Sequence, residues 1–202
     1  MIRDIFAGVV RIITGCRSRH AGPCDSAGPR VYFANHTSNL DAVVVWSSLP
    51  RECRRDCRIV AAKDYWGRTA VRRWLACKVF RAVLIDRKGV TKSNYPLRDI
   101  TACLDDGCSV IIFPEGTRGD GDGAAPFRAG LWHIARDRPG VEIVPVWIEN
   151  LNRVLPKGEV LPVPIAVAVT VGEPVVRGAD EPKQPYLERC RDAMLGLRGE
   201  PS

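Results

Sequence analysis

Two short stretches of this chain concentrate the residue types that move protons and bind anions. The first is Asn35-His36-Thr37-Ser38-Asn39-Leu40-Asp41, an imidazole followed closely by a carboxylate. It follows the apolar run Val31-Tyr32-Phe33-Ala34, so it lies where a strand's carboxyl end meets the next helix. Ser38 or Asn39 is suited to cap that helix, and Asp41 in its first turn can fold back toward His36. A neutral imidazole held by a carboxylate is a general base that works near neutral pH. The second stretch is Phe113-Pro114-Glu115-Gly116-Thr117-Arg118-Gly119, entered from the apolar run 109–113. Pro114 and Gly116 make a turn, and Gly116 lets a ligand come close to the backbone. Arg118 offers a planar fork for a phosphate. Glu115 either holds that arginine in place or accepts from a substrate hydroxyl.

Plainer readings stand beside these. His36 is then a polar loop residue, Asp41 a helix-start carboxylate, and Glu115 with Arg118 a structural pair at a tight turn. A Ser-His-Asp hydrolase built on Ser38 is disfavoured, because its residues crowd into one short segment and the chain has no G-x-S-x-G elbow. The only other histidines are His20, near a linker, and His133, inside a helical pattern.

Both stretches follow strands, so both are expected on the carboxyl rim of one open α/β sheet, where ligands bind. Short apolar runs predict strands at 31–34, 58–62, 82–86, 109–113, 141–148 and 165–171. Helical patterns fall between them at 39–48, 64–80, 91–106, 127–137 and 184–197. This alternation predicts an α/β fold: one domain over 31–202, with a mixed, mostly parallel sheet covered by helices on both faces. Residues 21–30, with two Gly-Pro steps, read as a linker.

Residues 1–20 read as an amphipathic N-terminal helix. Ile2, Ile5, Phe6, Val9, Val10, Ile12 and Ile13 share one face, and Arg3, Asp4, Arg11 and Thr14 the other. Such a helix either lies in a bilayer interface or packs on the protein's own core. The 64–80 helix mixes Tyr65, Trp66, Trp74 and Phe80 with Arg68, Arg72, Arg73 and Lys78. That is the composition of a membrane interface, or of a surface helix with aromatic feet in the core.

Composition narrows the class. The 202 residues are 46% hydrophobic, enough for one substantial core. No apolar run approaches the ~18 residues of a transmembrane helix. The net charge of +7 is unevenly placed: residues 51–88 hold twelve basic and four acidic residues, a local net of +8. Such a field attracts phosphate groups on lipid headgroups, nucleic acid or an acidic carrier. Of the eight cysteines, Cys53 and Cys57 are spaced like a metal pair but lack a second pair or a neighbouring histidine, and most are expected as free thiols. Ile13-Thr14-Gly15-Cys16 imitates a lipoprotein cleavage box, but Asp4 and Arg11 interrupt the pattern such a leader needs.

The two motifs together carry a family resemblance. The 35–41 stretch fits the pattern NHxSxxD, containing H-x4-D, and FPEGTR matches a second signature in full. In this order they resemble the glycerolipid acyltransferases, the 1-acyl-glycerol-3-phosphate acyltransferase group. Weaker blocks agree. Ala82–Arg87 resembles the family's strand ending in arginine, Ile143-Val144-Pro145-Val146 its proline-bearing strand, and Phe127-Arg128-Ala129-Gly130 its Phe-Lys-x-Gly, with Arg for Lys. The resemblance spans roughly residues 30–175. The chain departs from the family at its N-terminus, where many relatives carry longer apolar segments.

The resemblance implies transfer of a fatty acyl group from acyl-CoA or acyl carrier protein to a lysophospholipid hydroxyl, most simply 1-acyl-glycerol-3-phosphate, giving phosphatidate. His36 would be the base and Asp41 its orienting partner. Glu115, Gly116, Thr117 and Arg118 would seat the acceptor's phosphate and glycerol. Arg87 would be a second phosphate ligand, unless it is only a strand-end surface charge. No cofactor or metal is expected, because a thioester is already activated. The expected location is peripheral, on the cytoplasmic face of the cell membrane. The rival classes are a catalytically silent lipid-binding protein of the same fold, which would not need His36, and a nucleic-acid binder, for which no recognition motif exists.

Overall fold

The computed structural model describes residues 2–21, 28–86, 96–119, 123–151 and 166–199. The elements run α1 (Ile2–Thr14), β1 (Arg17–His20), β2 (Arg30–Ala34), α2 (Asp41–Ser48), α3 (Arg51–Arg55), β3 (Cys57–Ala62), α4 (Lys63–Trp66), α5 (Ala70–Trp74), a π-helical turn (Leu75–Phe80), β4 (Val83–Ile85), α6 (Pro96–Asp105), β5 (Ser109–Ile112), α7 (Gly130–Asp137), β6 (Glu142–Glu149), β7 (Ala168–Val171) and α8 (Lys183–Leu195). The seven strands form one sheet in the order β1-β7-β6-β2-β5-β3-β4. β6 and β7 are antiparallel, and every other neighbouring pair is parallel. This is the mixed, mostly parallel α/β sheet the alternation predicts.

β2 lies at the centre, with Tyr32 opposite Ile111 on one side and Val144 on the other. A strand covered on both faces reads as an unbroken apolar run, as Val31-Tyr32-Phe33-Ala34 does. One core layer packs Val44, Trp46, Ile59 and Phe80 between the sheet and the helices α1 and α2. The other packs Phe33, Ile100, Leu131, Ile134 and Tyr186 against α6, α7 and α8.

The predicted 64–80 helix is interrupted. Gly67 closes α4, and a Cβ there would meet the Lys63 carbonyl oxygen at 2.8 Å. Thr69 is extended, and its hydroxyl oxygen accepts the Arg72 amide at 3.2 Å, starting α5 afresh. β1 and α3 were not legible from composition. Arg-Ser-Arg-His has no apolar alternation, and it is a strand only because its backbone pairs with β7 at the sheet's edge. The 91–106 helix is described from Pro96, and its predicted first residues lie outside the described segments. Cys16, Cys57, Cys77, Cys103, Cys108 and Cys190 are free thiols, and Cys53 is disulfide-bonded.

The helix expected over 1–20 stops at Thr14, and it docks by its polar face. Arg3 donates to the carbonyls of Arg54 and Arg55 at 3.0 and 2.7 Å. Arg11 donates to the carbonyls of Ser47 and Leu49, and Asp4 accepts from Arg54 at 2.8 Å. The carbonyls are those that the ends of α2 and α3 leave without intrahelical partners. Phe6, Ala7 and Val10 pack on the core, while Ile2, Ile5, Val9, Ile12 and Ile13 are exposed, Ile12 by 82%. One edge of the helix therefore packs on the core, and the other is open to solvent.

Trp46 is the keystone of that junction. It is fully buried, meets Phe80 edge-on at 5.2 Å, and lies between the Arg3 and Arg54 guanidinium groups at 5.3 and 5.4 Å. Trp46→Ala is expected to lower the unfolding free energy by about 3–5 kcal/mol, read as a shift in the urea midpoint.

Candidate active site

The 35–41 loop leaves the carboxyl end of β2 and is pinned at both ends. The Asn35 amide bridges to β6, donating to the Ile148 carbonyl at 3.0 Å and accepting the Ile148 N–H at 2.8 Å. At the other end Asp41 opens α2 with no exposed surface. Its Oδ2 accepts the Thr37 and Ser38 amides at 2.6 and 2.9 Å and meets His36 Nδ1 at 2.7 Å. A carboxylate only accepts, so Nδ1 is the donor and Nε2 carries the lone pair. Burial pushes the Asp41 carboxyl above its ordinary range, against the pull of these three donors. Its second oxygen is buried with no partner. The imidazole stacks on Phe113, with centroids 4.4 Å apart and planes at 21°, and keeps about 15% of its surface open.

The 113–119 turn leaves the neighbouring strand β5 and meets the first loop directly. The Gly119 amide donates to the His36 carbonyl at 2.8 Å. Glu115, only 5% exposed, accepts the His36 amide on Oε1 and the Ala125 amide on Oε2, each at 2.9 Å. Both of its oxygens are committed to backbone, so the expected pairing with Arg118 does not form. Gly116, Thr117 and Arg118 are exposed on the turn, and among the described residues no carboxylate forms an ion pair with Arg118. Arg87 lies outside the described residues.

One residue of the site is missed by reasoning from single motifs. Arg128 donates its amide to the Pro114 carbonyl at 2.9 Å, and its side chain crosses Gly116. Gly116 has φ +74, and a Cβ there would fall 2.3 Å from Arg128 Nε. The left-handed φ favours glycine here, and the missing Cβ leaves the room that the Arg128 side chain occupies. The available signal was the Phe127-Arg128-Ala129-Gly130 block.

His36, Asp86, Phe113, Gly116 and Arg128 line a cavity of about 540 Å³, whose remaining wall is largely apolar and includes Val60, Ile85, Ile100, Ile112, Leu131 and Ile134. That size suits a small-molecule site. A base, a guanidinium and an apolar recess in one cleft can hold an amphipathic molecule by its tail and act on its polar end. Buried thiols do not compete for this chemistry: burial raises Cys103 to about 11 and Cys190 to about 12, so their nucleophilic thiolates are scarce at neutral pH.

The family model for acyltransferases matches residues 16–149. The chain belongs to the acyltransferase family. It is 29% identical to a 1-acyl-sn-glycerol-3-phosphate acyltransferase of Haemophilus influenzae over 69% of this chain and 59% of that protein. For the Escherichia coli protein of the same description the figures are 32%, 64% and 53%. A lyso-ornithine lipid O-acyltransferase of Brucella abortus is 27% identical over 71% of this chain and 52% of its own length. The chain thus spans little more than half the length of these relatives. In fold it resembles the crystal structure of the 1-acyl-sn-glycerophosphate acyltransferase of Thermotoga maritima, with a TM-score of 0.73, 20% identity, and coverage of 97% of this chain and 77% of that one.

The raised pKa of Asp41 has a consequence for stability. The folded chain holds that proton more tightly than the unfolded chain, so keeping the group ionised above the ordinary carboxylate range costs stability. Asp41→Asn removes the charge while an amide oxygen still accepts the Thr37 and Ser38 amides. Its Tm at neutral pH is expected to equal or exceed that of the unaltered chain, with the difference closing as pH falls below the ordinary carboxylate range. Activity is expected to drop by about 10²- to 10⁴-fold, because a neutral amide cannot steady the imidazolium that forms when Nε2 takes a proton. Thermal unfolding across pH and initial rates check the two parts, and a neutral-pH Tm well below the parent's would refute the first.

Proposed function

We propose that this chain transfers a fatty acyl group from an acyl thioester, acyl-CoA or acyl carrier protein, to the free hydroxyl of 1-acyl-glycerol-3-phosphate. The observation that carries the reading is the His36–Asp41 pair at a largely apolar cavity that Arg128 also lines. His36 Nε2 takes the hydroxyl proton as the oxygen attacks the thioester carbonyl. The new C–O bond forms, the C–S bond breaks, and the proton passes to the departing thiolate. Asp41 keeps Nδ1 protonated and steadies the imidazolium. General-base assistance of this kind accounts for about 10²- to 10⁴-fold of rate.

Arg118 and Arg128 suit the acceptor's phosphate, and Arg87 is assigned to the same group from its motif. Gly116 and Thr117 line the acceptor's path on the exposed turn. Glu115 shapes the site through the two amides it holds. The relative that acylates lyso-ornithine lipid makes a phosphate-free acceptor the competing choice. A panel of lysophosphatidate, glycerol-3-phosphate, other lysophospholipids and lyso-ornithine lipid, with products identified by mass, decides between them. His36→Ala is expected to lose the transfer rate while lipid binding persists. A variant that runs at full rate would refute the base assignment.

We also place this acyltransferase on a membrane surface. Among the described residues no helix is long and apolar enough to cross a bilayer. Support for peripheral attachment comes from the outward apolar edge of α1 and from exposed Val71 and Trp74 on α5, set among exposed Lys63, Arg68, Arg73 and Lys78. A double change of Ile5→Glu and Ile12→Glu is expected to reduce co-sedimentation with anionic vesicles severalfold and leave turnover of a water-soluble short-chain acceptor intact. Undiminished sedimentation would exclude α1 as the attachment face.

A further inference from the structure

The 36–40 loop is a wall shared by two apolar recesses. His36 faces the larger cavity, while Asn39 and Leu40 line a second groove of about 280 Å³. This groove is bounded by Phe6 and Val10 of α1, Val43 of α2, Trp66 of α4 and Leu75 of the π-turn. Arg72 is its charged lining residue, with its guanidinium 4.4 Å above the Tyr65 ring. Ile13, which also lines it, is 56% exposed. The groove therefore opens on the same flank as the outward apolar edge of α1.

We propose that this groove receives the acyl chain already present on the acceptor, so that donor and acceptor chains lie on opposite sides of the His36 loop. The inference rests on the proposed acyl transfer and adds a binding site to it. The reaction itself demands two apolar places. At the tetrahedral stage the donor carbonyl carbon is bonded to the acceptor oxygen, and the acceptor's own chain leaves from the neighbouring glycerol carbon. Both chains then start within a few bond lengths of Nε2, and each exposed methylene costs about 0.8 kcal/mol relative to burial. The cavity on the imidazole side suits the chain of a donor that arrives from water and must be sheltered along its length. The smaller groove is below the usual size of a closed ligand site and holds only the first part of a chain. That suits an acceptor whose tail continues into the bilayer against α1.

The test fills the groove from two walls remote from the catalytic pair, with Leu75→Trp and Val10→Phe, and compares 1-oleoyl with 1-hexanoyl glycerol-3-phosphate as acceptors across donors of different chain length. The expected result is a rise of about tenfold in KM for the oleoyl acceptor, as losing roughly two buried methylenes would give. The hexanoyl acceptor's kcat/KM and the donor ranking stay as in the parent. A changed donor ranking, an equal loss on both acceptors in folded protein, or an unchanged oleoyl KM would overturn the assignment. A binding arm separates this from failure of the transferase reading. A monomeric lysophospholipid with a brominated chain is expected to quench the emission that Trp66→Phe removes, whether or not turnover occurs. Absence of that quenching disproves the groove even in an active enzyme.

Discussion

The site depends on one buried carboxylate that takes no proton from substrate. Glu115 accepts two backbone amides from two separate segments, His36 on the β2 loop and Ala125 on the approach to α7, while its own backbone sits on the β5 turn. The β2 loop, 79 positions away, and the approach to α7, ten positions on, are thereby fixed to one point. The Ala125 side is steadied in turn from α8, where Arg191 donates to the Ala124 carbonyl at 2.8 Å. Loss of the Glu115 carboxylate would release both amides together and untie the two segments it joins.

Around that anchor, proton chemistry and stability oppose each other. Asp41 is fully enclosed, with one oxygen saturated by three donors and the other left without a partner. A neutral side chain would sit there more comfortably. The three donors on Oδ2 pull toward the ionised form, against the burial that raises the carboxyl's pKa. The Phe113 ring stacked on the imidazole closes one face, leaving Nε2 toward the cavity as the open direction.

The sequence announced the motif residues, the carboxyl-rim placement of both loops and the central strands, because each is written in local chemistry: apolar runs ending at turns, a histidine near a helix-start aspartate, glycine where φ is positive. It did not announce what depends on distant partners. The partner of Glu115 reads as nearby Arg118, whereas the carboxylate reaches backbone groups that no side-chain pattern encodes. β1 is polar and gains strand character only from β7. The interruption of the 64–80 helix was marked by Gly67 and Thr69, but the aromatic and basic residues on either side read as one continuous helix. Arg128 became a site residue only once Gly116 was seen beneath it.

The orientation of α1 is the least expected feature and the most informative. Packing its apolar face inward would be the ordinary solution for a surface helix. Instead Arg3 and Arg11 are drawn toward the protein, and desolvation lowers the pKa of both guanidinium groups. That cost is offset by carbonyls at the ends of α2 and α3, which accept from the arginines. The arrangement still leaves five large aliphatic residues in contact with solvent, forgoing about 25 cal/mol for each Å² that could have been buried. With the charge cost offset, the exposed aliphatic edge of this short helix is what remains unfavourable in water. It becomes favourable where an apolar phase covers the outward edge. The same helix walls the groove beside the His36 loop, so whatever covers its outward edge also borders that groove.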